Sequence, residues 1–527
     1  MEAQATSQFE PGCSFFARTP DSVFSPECFH SDEKLMVESA LQFTKGEILP
    51  LAQRLDKQED GLMPALVRKA GELGFCGVDT PEAFGGLGQS KALATRILEF
   101  LSLDPSFSVT FGVTSGIAQL GITLFGNDEQ KSEHLPALAS GKKIGAYCLS
   151  EPNSGTDALG LETKAVRQGD DWLLTGSKMW ISNAKWAETF LVLAKVDGQH
   201  ATAFVVERDT PGLSVAREEH KLGLKGSSTA RIELDSALVP GRNLVYEEGK
   251  GHHVALNALN IGRLKLSAMS IGPIRAALFH GAGYAQERKQ FGQFISEFGL
   301  VRKKFADAAA WFYASESAIY RTCGLVDDVF AESDGSIAGN RSAAEEFAVE
   351  CSACKVLATE SEARIIDEML QVYGGYGFTE EFPMARLYRD ARVSRIYEGT
   401  NEINRAFIAD RLNRRIASGQ TAGASTGDSF IAELAVKALA KVGGHQEQVG
   451  AMSDILMLQF AEQSARVRSA AQGGLAEMAH ARFSNWANAE AARAYQCVTG
   501  ESVSLPAPNP CFTDELATAV LERKGPI

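Results

Sequence analysis

The segment VSRIYEGTNEINRAF, Val393–Phe407, sets a carboxylate where a turn meets a helix: Glu398 follows the aromatic Tyr397 and precedes Gly399 and Thr400. A carboxylate so placed can take a proton from carbon only where water is kept out and donors stabilise the charge left behind. Read locally, the same residues are a turn whose glycine frees the backbone and whose Thr400 caps the following helix. Four other short segments carry polar or planar groups. AYCLSEPNSGTD, Ala146–Asp157, gathers backbone N–H groups with the hydroxyls of Ser150, Ser154 and Thr156 in what reads as a turn-rich stretch suited to a polar ligand. KMWISNA, Lys178–Ala184, puts Trp180 and Ser182 at a strand end, where an aromatic face beside a hydroxyl suits a planar heterocycle. Ordinary core packing of Trp180 is the competing reading. ERKQFG, Glu287–Gly292, places Arg288 and Phe291 at what reads as a helix end with a glycine stop. LQVYGGYGF, Leu370–Phe378, offers Gln371 and the glycines Gly374, Gly375 and Gly377, which admit close approach to a phosphate or ring without matching a P-loop or dinucleotide fingerprint.

Such groups act only if a frame holds them. An arm, residues 1–30, precedes a helical domain over 31–143, where SDEKLMVESALQFTKGEILPLAQRLDK opens with Ser31 as the N-cap candidate and acids behind it. Across 144–247 the period changes to short apolar or alternating runs, TKAVRQGDDWLLTGSKMWISN and TFLVLAKVDGQHATAFVVER, joined at QGDD and DGQH as hairpins are. Helices resume over 248–416, and SGQTAGASTGDS, within 417–429, has the composition of a linker. The last part, 430–527, reads as a further helical region in which Met452, Ile455, Leu456 and Phe460 keep a helical spacing. That stripe is expected to pack on the protein or a partner subunit, with a peripheral membrane contact as the alternative. The expected fold is α+β and mostly α.

A chain of 527 residues exceeds what one hydrophobic core usually holds, and its net charge of −14 argues against a nucleic-acid binder. Nine cysteines, an odd number spread along the chain, suggest reduced thiols in a cytoplasmic protein. Cys351 and Cys354 have redox-dithiol spacing but lie inside a long helical pattern, which favours a packed role; His252 and His253 lack partners at metal-ligand spacing, so no metal is expected. No run reads as a signal peptide or approaches a membrane span, so any contact with the inner membrane would be peripheral.

Taken in order, AYCLSEPNSGTD, KMWISN, ERKQFG, YGGYGF and RIYEGTNEI make residues 31–416 resemble the acyl-CoA dehydrogenase family. The resemblance implies an N-terminal helical domain, a central β-barrel or sandwich domain and a C-terminal four-helix bundle. It further implies FAD, α,β-dehydrogenation of a fatty acyl-CoA to the trans-2-enoyl-CoA, and electron-transfer flavoprotein as acceptor. Glu398 falls at the family's base, which removes the α-proton. Tyr147, Ser150, Trp180, Ser182 and Thr400 fall at flavin positions, with Ser182 in place of the commoner threonine. Arg288, Phe291, Gln371, Gly374 and Gly375 fall where the rest of FAD is held across a subunit interface, and Thr156, Arg263, Tyr397 and Gly399 fall at substrate positions. Some relatives take the base from another helix; the matching residue here is Gly262, which leaves Glu398. The tail resembles the very-long-chain and assembly-factor branch, implying a homodimer and a medium to long acyl chain. Acyl-CoA oxidases and flavin monooxygenases share the superfamily, and an assembly or binding role on the same fold stays open.

Overall fold

Short polar residues set the helix starts as their chemistry requires. Ser90 Oγ accepts from the Leu93 N–H at 3.0 Å, Asp104 from Phe107 at 2.9 Å and Asn127 from Gln130 at 2.8 Å, each satisfying an amide the first turn leaves open. The first helix differs by one residue from expectation: it is Ser31–Phe43, its N-cap is His30, and the Glu33 carboxylate accepts the His30 N–H at 2.7 Å. The acid three residues on, rather than the Ser31 hydroxyl, ties off this end.

The computed structural model describes residues 10–421 and 429–527, in two compact units. Most of the expected linker, residues 422–428, lies outside the described residues. One unit comprises Phe29–Met269 and Ser333–Glu345. Its helices lead into an eight-stranded sheet of β1 (Gly145–Cys148), β2 (Lys164–Gln168), β3 (Asp171–Ser182), β4 (Thr189–Val196), β5 (His200–Glu207), β6 (Leu213–Glu218), β7 (Thr229–Val239) and β8 (Leu244–Val245). The order is β6-β7-β3-β2-β4-β5-β8, with β1 parallel to β4. β2 and β3 close through Gly169-Asp170 as a tight hairpin, and β4 and β5 through Asp197 to Gln199, where Asp197 and Gly198 take φ 53° and 68°. β4 and β5 are apolar almost throughout because both faces are covered; Trp172 of β3 meets Phe204 of β5 edge to face, with ring centroids 5.6 Å apart. Two expectations are corrected here. Gly145–Cys148 is a buried strand rather than part of a turn. Pro105–Phe125, at mean hydropathy 1.3, is long and apolar enough to cross a membrane, yet 78% of that window is buried and Gly116 breaks its helical geometry at φ −108°, ψ −113°. Its apolarity is that of a core helix.

Among the described residues, the other unit holds Glu10–Cys28, Ser270–Glu332 and the chain from Glu346 onward. Helices Gly299–Ala331, Ala348–Tyr373 and Asn401–Ala417 pack with the later helices Phe430–Leu439, Gln446–Gln472, Leu475–Thr499 and Thr513–Arg523. The stripe Met452, Ile455, Leu456 and Phe460 is buried in this packing, with Phe460 5.1 Å from Phe15 of the N-terminal arm, so it is not a surface for a membrane. The arm is held rather than loose: Gln459 donates to the Phe15 carbonyl at 3.0 Å, Gln463 to that of Arg18 at 3.0 Å, and Arg468 to Glu27 at 2.8 Å. Cys351 and Cys354 are buried thiols on the Ala348–Tyr373 helix, with Cys354 Sγ 3.2 Å from the Thr322 hydroxyl. That is the packed role their helical context predicts.

Candidate active site

Glu398 and Gly399 take consecutive left-handed conformations, φ 57° and 83°. Gly399 adopts this freely; for a glutamate it costs roughly 1–3 kcal/mol and persists only where the surroundings impose it. They do so through the next carbonyl. Lys355 Nζ donates to Gly399 O at 3.0 Å and Asn404 Nδ2 donates to the same oxygen at 2.8 Å and to Thr400 O at 3.0 Å. Thr400 Oγ1 then caps the Asn401–Ala417 helix by accepting from Ile403 at 3.3 Å. The result is a rigid turn that carries Glu398 immediately ahead of a helix start.

Beside this turn lies a group of buried acids. Burial pushes the Glu362 carboxyl up to about 8, against hydrogen bonds from Ser394 and Ser270, with Asp390 adding to the rise. Burial, followed by the charges of Glu362, Glu398 and Asp390, also lifts the Tyr397 phenol well above its ordinary value. Burial thus favours the uncharged form of both groups next to the turn.

In the same unit, the Gly251–Glu287 helix ends before Arg288, whose guanidinium lies 5.7 Å from the Tyr376 ring. Gly292 is not the helix stop expected of it. Phe291 and Gly292, at φ 55° and 85°, form the turn of a small hairpin pairing Lys289–Gln290 with Gln293–Phe294, which leaves Phe291 96% exposed. Gln371, Gly374 and Gly375 lie on the surface, and a Cβ at either glycine would meet nothing within 4 Å. Arg288 and the Gly374–Phe378 turn therefore come together around Tyr376, on an open face.

In the other unit, β3 joins two of the expected segments. The Met179 N–H donates to Ser150 O at 2.9 Å, which sets Ser150 beside the strand that carries Trp180 and Ser182. The β3–β7 register shifts between Lys178 and Ile181, and Trp180 takes φ 55° within the shift, so its indole is turned out and 58% exposed. Trp180 is thus not core. Tyr147 is buried on β1 and donates to Ala255 O at 3.3 Å, Thr156 is exposed, and Arg263 is buried with its guanidinium on Asn260 Oδ1 at 3.0 Å.

What composition and motif did not expose is the pair that anchors this region. Lys178 and Glu151 meet at 2.6 Å with side chains 0% and 3% exposed, Lys178 also donates to Leu149 O at 3.2 Å, and Glu151 accepts the N–H groups of Glu162 at 2.5 Å and Thr163 at 3.1 Å. Asn183 completes the hold by donating to Thr110 O and Gly145 O, both at 2.9 Å. A usable signal was present: Lys178 shares the inward phase of β3 with Trp172 and Leu174. Lys355 lies in a helical stretch, Ala348–Thr359, that is buried throughout.

Models of the acyl-CoA dehydrogenase N-terminal, middle and C-terminal domains match residues 30–142, 146–237 and 249–413. A probable acyl-CoA dehydrogenase of Bacillus subtilis is 43% identical over 408 residues, 76% of this chain and 69% of that one. The mitochondrial very long-chain specific acyl-CoA dehydrogenase of Rattus norvegicus is 35% identical over 71% of this chain and 58% of its own length. The crystal structure of an acyl-CoA dehydrogenase from Bacillus anthracis, complexed with FAD, superposes with a TM-score of 0.93 at 34% identity, covering 98% of this chain and 99% of that one. That likeness extends through the helices that follow the matched domains.

Proposed function

The chain belongs to the acyl-CoA dehydrogenase family, and we propose that it is an FAD-dependent enzyme converting a medium to long fatty acyl-CoA to the trans-2-enoyl-CoA, with electron-transfer flavoprotein as electron acceptor. The observation that carries this reading is Glu398, held in a left-handed turn by two donors on the Gly399 carbonyl. FAD, when bound, supplies the acceptor for the hydride that leaves the β-carbon. Glu398 takes the α-proton, and its own backbone N–H is the donor we assign to the thioester carbonyl. Tyr397 and Gly399 flank the acyl group, while Arg263 and Thr156 are assigned to the thioester and CoA end.

The groups present fit the cofactor. The exposed indole of Trp180 is an apolar face that a planar ring would cover, with Ser150 and Ser182 supplying hydroxyls. The open space over Gly374 and Gly375 lets a phosphate or ring reach the backbone, with Arg288 as cation and Gln371 and Phe291 as further contacts, while Thr400 is assigned to the flavin. Phe291 and Phe378, 96% and 86% exposed, are apolar side chains that a second copy of the chain would cover in a homodimer. We assign the longer acyl chain on the resemblance of the helical region beyond residue 430 to that of the very-long-chain branch.

Anaerobic titration of the purified protein with acyl-CoAs of graded length, following flavin absorbance, tests the proposal. Medium and long chains should bleach the flavin, and Glu398→Gln should keep its FAD but stay oxidised. A variant that bleaches at the wild-type rate would remove Glu398 from the reaction, and peroxide formed in air at the turnover rate would replace electron-transfer flavoprotein by oxygen.

A further inference from the structure

The Lys355 ammonium is fully buried, and among the oxygens it donates to are Gly399 O at 3.0 Å and Asn401 Oδ1 at 2.7 Å. From Asn401 the polar contacts continue outward without a gap. Asn401 Nδ2 donates to Glu360 Oε1 at 3.1 Å; Glu360 takes both Nη atoms of Arg405, at 2.7 and 3.0 Å; and Arg405 Nε reaches Asp454 Oδ1 at 2.7 Å. Ser453, next to Asp454, donates to the Arg405 carbonyl at 2.5 Å. Asp454 and Ser453 stand on the Gln446–Gln472 helix, beyond the residues that the family's C-terminal domain model matches.

We propose that Lys355 is a positioning residue for Glu398, and that the C-terminal helical region orders the catalytic turn through Asp454, Arg405, Glu360 and Asn401. The physical case rests on what each link can do. A buried ammonium is expensive to keep and has three donors, so it is suited to fixing a carbonyl in a turn that has no ladder partner. The two-pronged Arg405–Glu360 pair sets the orientation of Glu360, and Glu360 sets the amide plane of Asn401, whose other end accepts from Lys355. Asp454 fixes the third guanidinium nitrogen. Loosening Asp454 therefore relaxes a chain of directional contacts ending one peptide from Glu398. For a base that must meet a carbon-bound proton, a small misplacement costs rate more than binding.

The inference rests on Glu398 being the base, so its test has a readout independent of turnover. The side chain of Asp454 is 38% exposed, so Asp454→Asn should fold normally. Hydrogen–deuterium exchange of peptides covering 396–406 is compared for wild type, Lys355→Met and Asp454→Asn, together with kcat per bound flavin and KM. The expectation is faster exchange in both variants, kcat lower by about tenfold at similar KM, and a double variant whose loss is less than the product of the single ones. Unchanged exchange in both variants overturns the proposal, as does faster exchange with unchanged kcat per bound flavin. A response in Lys355→Met alone overturns the part assigned to the C-terminal helices. If Glu398→Gln proved fully active, the base assignment would fall, while exchange would still report whether Asp454 orders the turn.

Discussion

Replacing Glu151 by glutamine removes one negative charge from a pair that has no solvent to replace it. The Lys178 side chain is 0% exposed and its ammonium lies 2.6 Å from Glu151. The pair is not symmetric. Lys178 holds the Glu151 carboxyl below its usual value although burial pushes it up, whereas burial pulls Lys178 down despite Glu151. Without the carboxylate, Lys178 must lose its proton or stay charged and buried, and breaking a pair of this kind typically costs about 3–5 kcal/mol. Against a usual total of about 5–15 kcal/mol that is a large loss, visible as a lower urea midpoint. The double variant Glu151→Gln/Lys178→Met removes both charges and should recover most of it, to within roughly 1.5 kcal/mol of wild type. The same contacts fix Leu149 O and the Glu162 and Thr163 amides, so the single variant should also shed FAD during gel filtration. The pH dependence has a definite sign: a carboxyl with a depressed pKa contributes stability above its unfolded value, near 4.5, and loses it as pH falls through the lower folded value. Glu151→Gln should therefore flatten the acid limb of the stability curve. A single variant within about 1 kcal/mol of wild type that retains its flavin would refute the anchoring role.

Two further outcomes follow from burial and exposure. Glu362 is raised to about 8 from 4.5, so the folded state holds its proton more tightly than the unfolded chain and the resulting stability, complete below pH 4.5, is lost as pH rises toward 8. The stability difference between wild type and Glu362→Gln should change by on the order of 3 kcal/mol between pH 5 and pH 7.5 in urea titrations, and a flat difference would place the ionisation elsewhere. Trp180→Ala removes an exposed indole and should alter stability by no more than about 0.5 kcal/mol, while weakening FAD retention at least tenfold; equal retention in equilibrium dialysis would take Trp180 out of the flavin site.

Local patterns in the sequence were enough for the helix–strand–helix order, the hairpins at Gly169-Asp170 and Asp197–Gln199, and the Thr400 cap, because each is decided within a few residues. Elements whose partners are distant were not legible. β1 is four residues long and its ladder partner β4 begins at Thr189, so the polar residues after Cys148 dominated the local reading. The hairpin at Phe291-Gly292 was mistaken for a helix stop because a glycine a few residues beyond a basic pair fits both, and only cross-strand pairing separates them. The N-terminal arm lacks a period of its own and is ordered by Gln459 and Gln463, more than four hundred positions along the chain.

Two fully buried lysines, Lys178 and Lys355, explain why the candidate site was readable in its reactive groups but not in its supports. Glu398 and the Ser150 segment advertise themselves by turn chemistry, and turns are where backbone carbonyls lack ladder partners. Each such segment is held by a lysine from a regular element of its own unit: Lys355 on the Gly399 carbonyl, and Lys178 on Leu149 O. Lysine suits this task because its long stem crosses a packed layer and its three N–H donors serve a carbonyl and a side-chain oxygen at once, Asn401 in one case and Glu151 in the other. Lysine is ordinarily taken as a surface residue, since it is almost never fully buried without a partner. Its phase argues otherwise on β3, where it points inward, and its surroundings do so on the Ala348–Tyr373 helix, whose first three turns are buried throughout. A lysine in core phase one element away from an irregular, chemically loaded turn is thus a sign that the turn's backbone is being held in place.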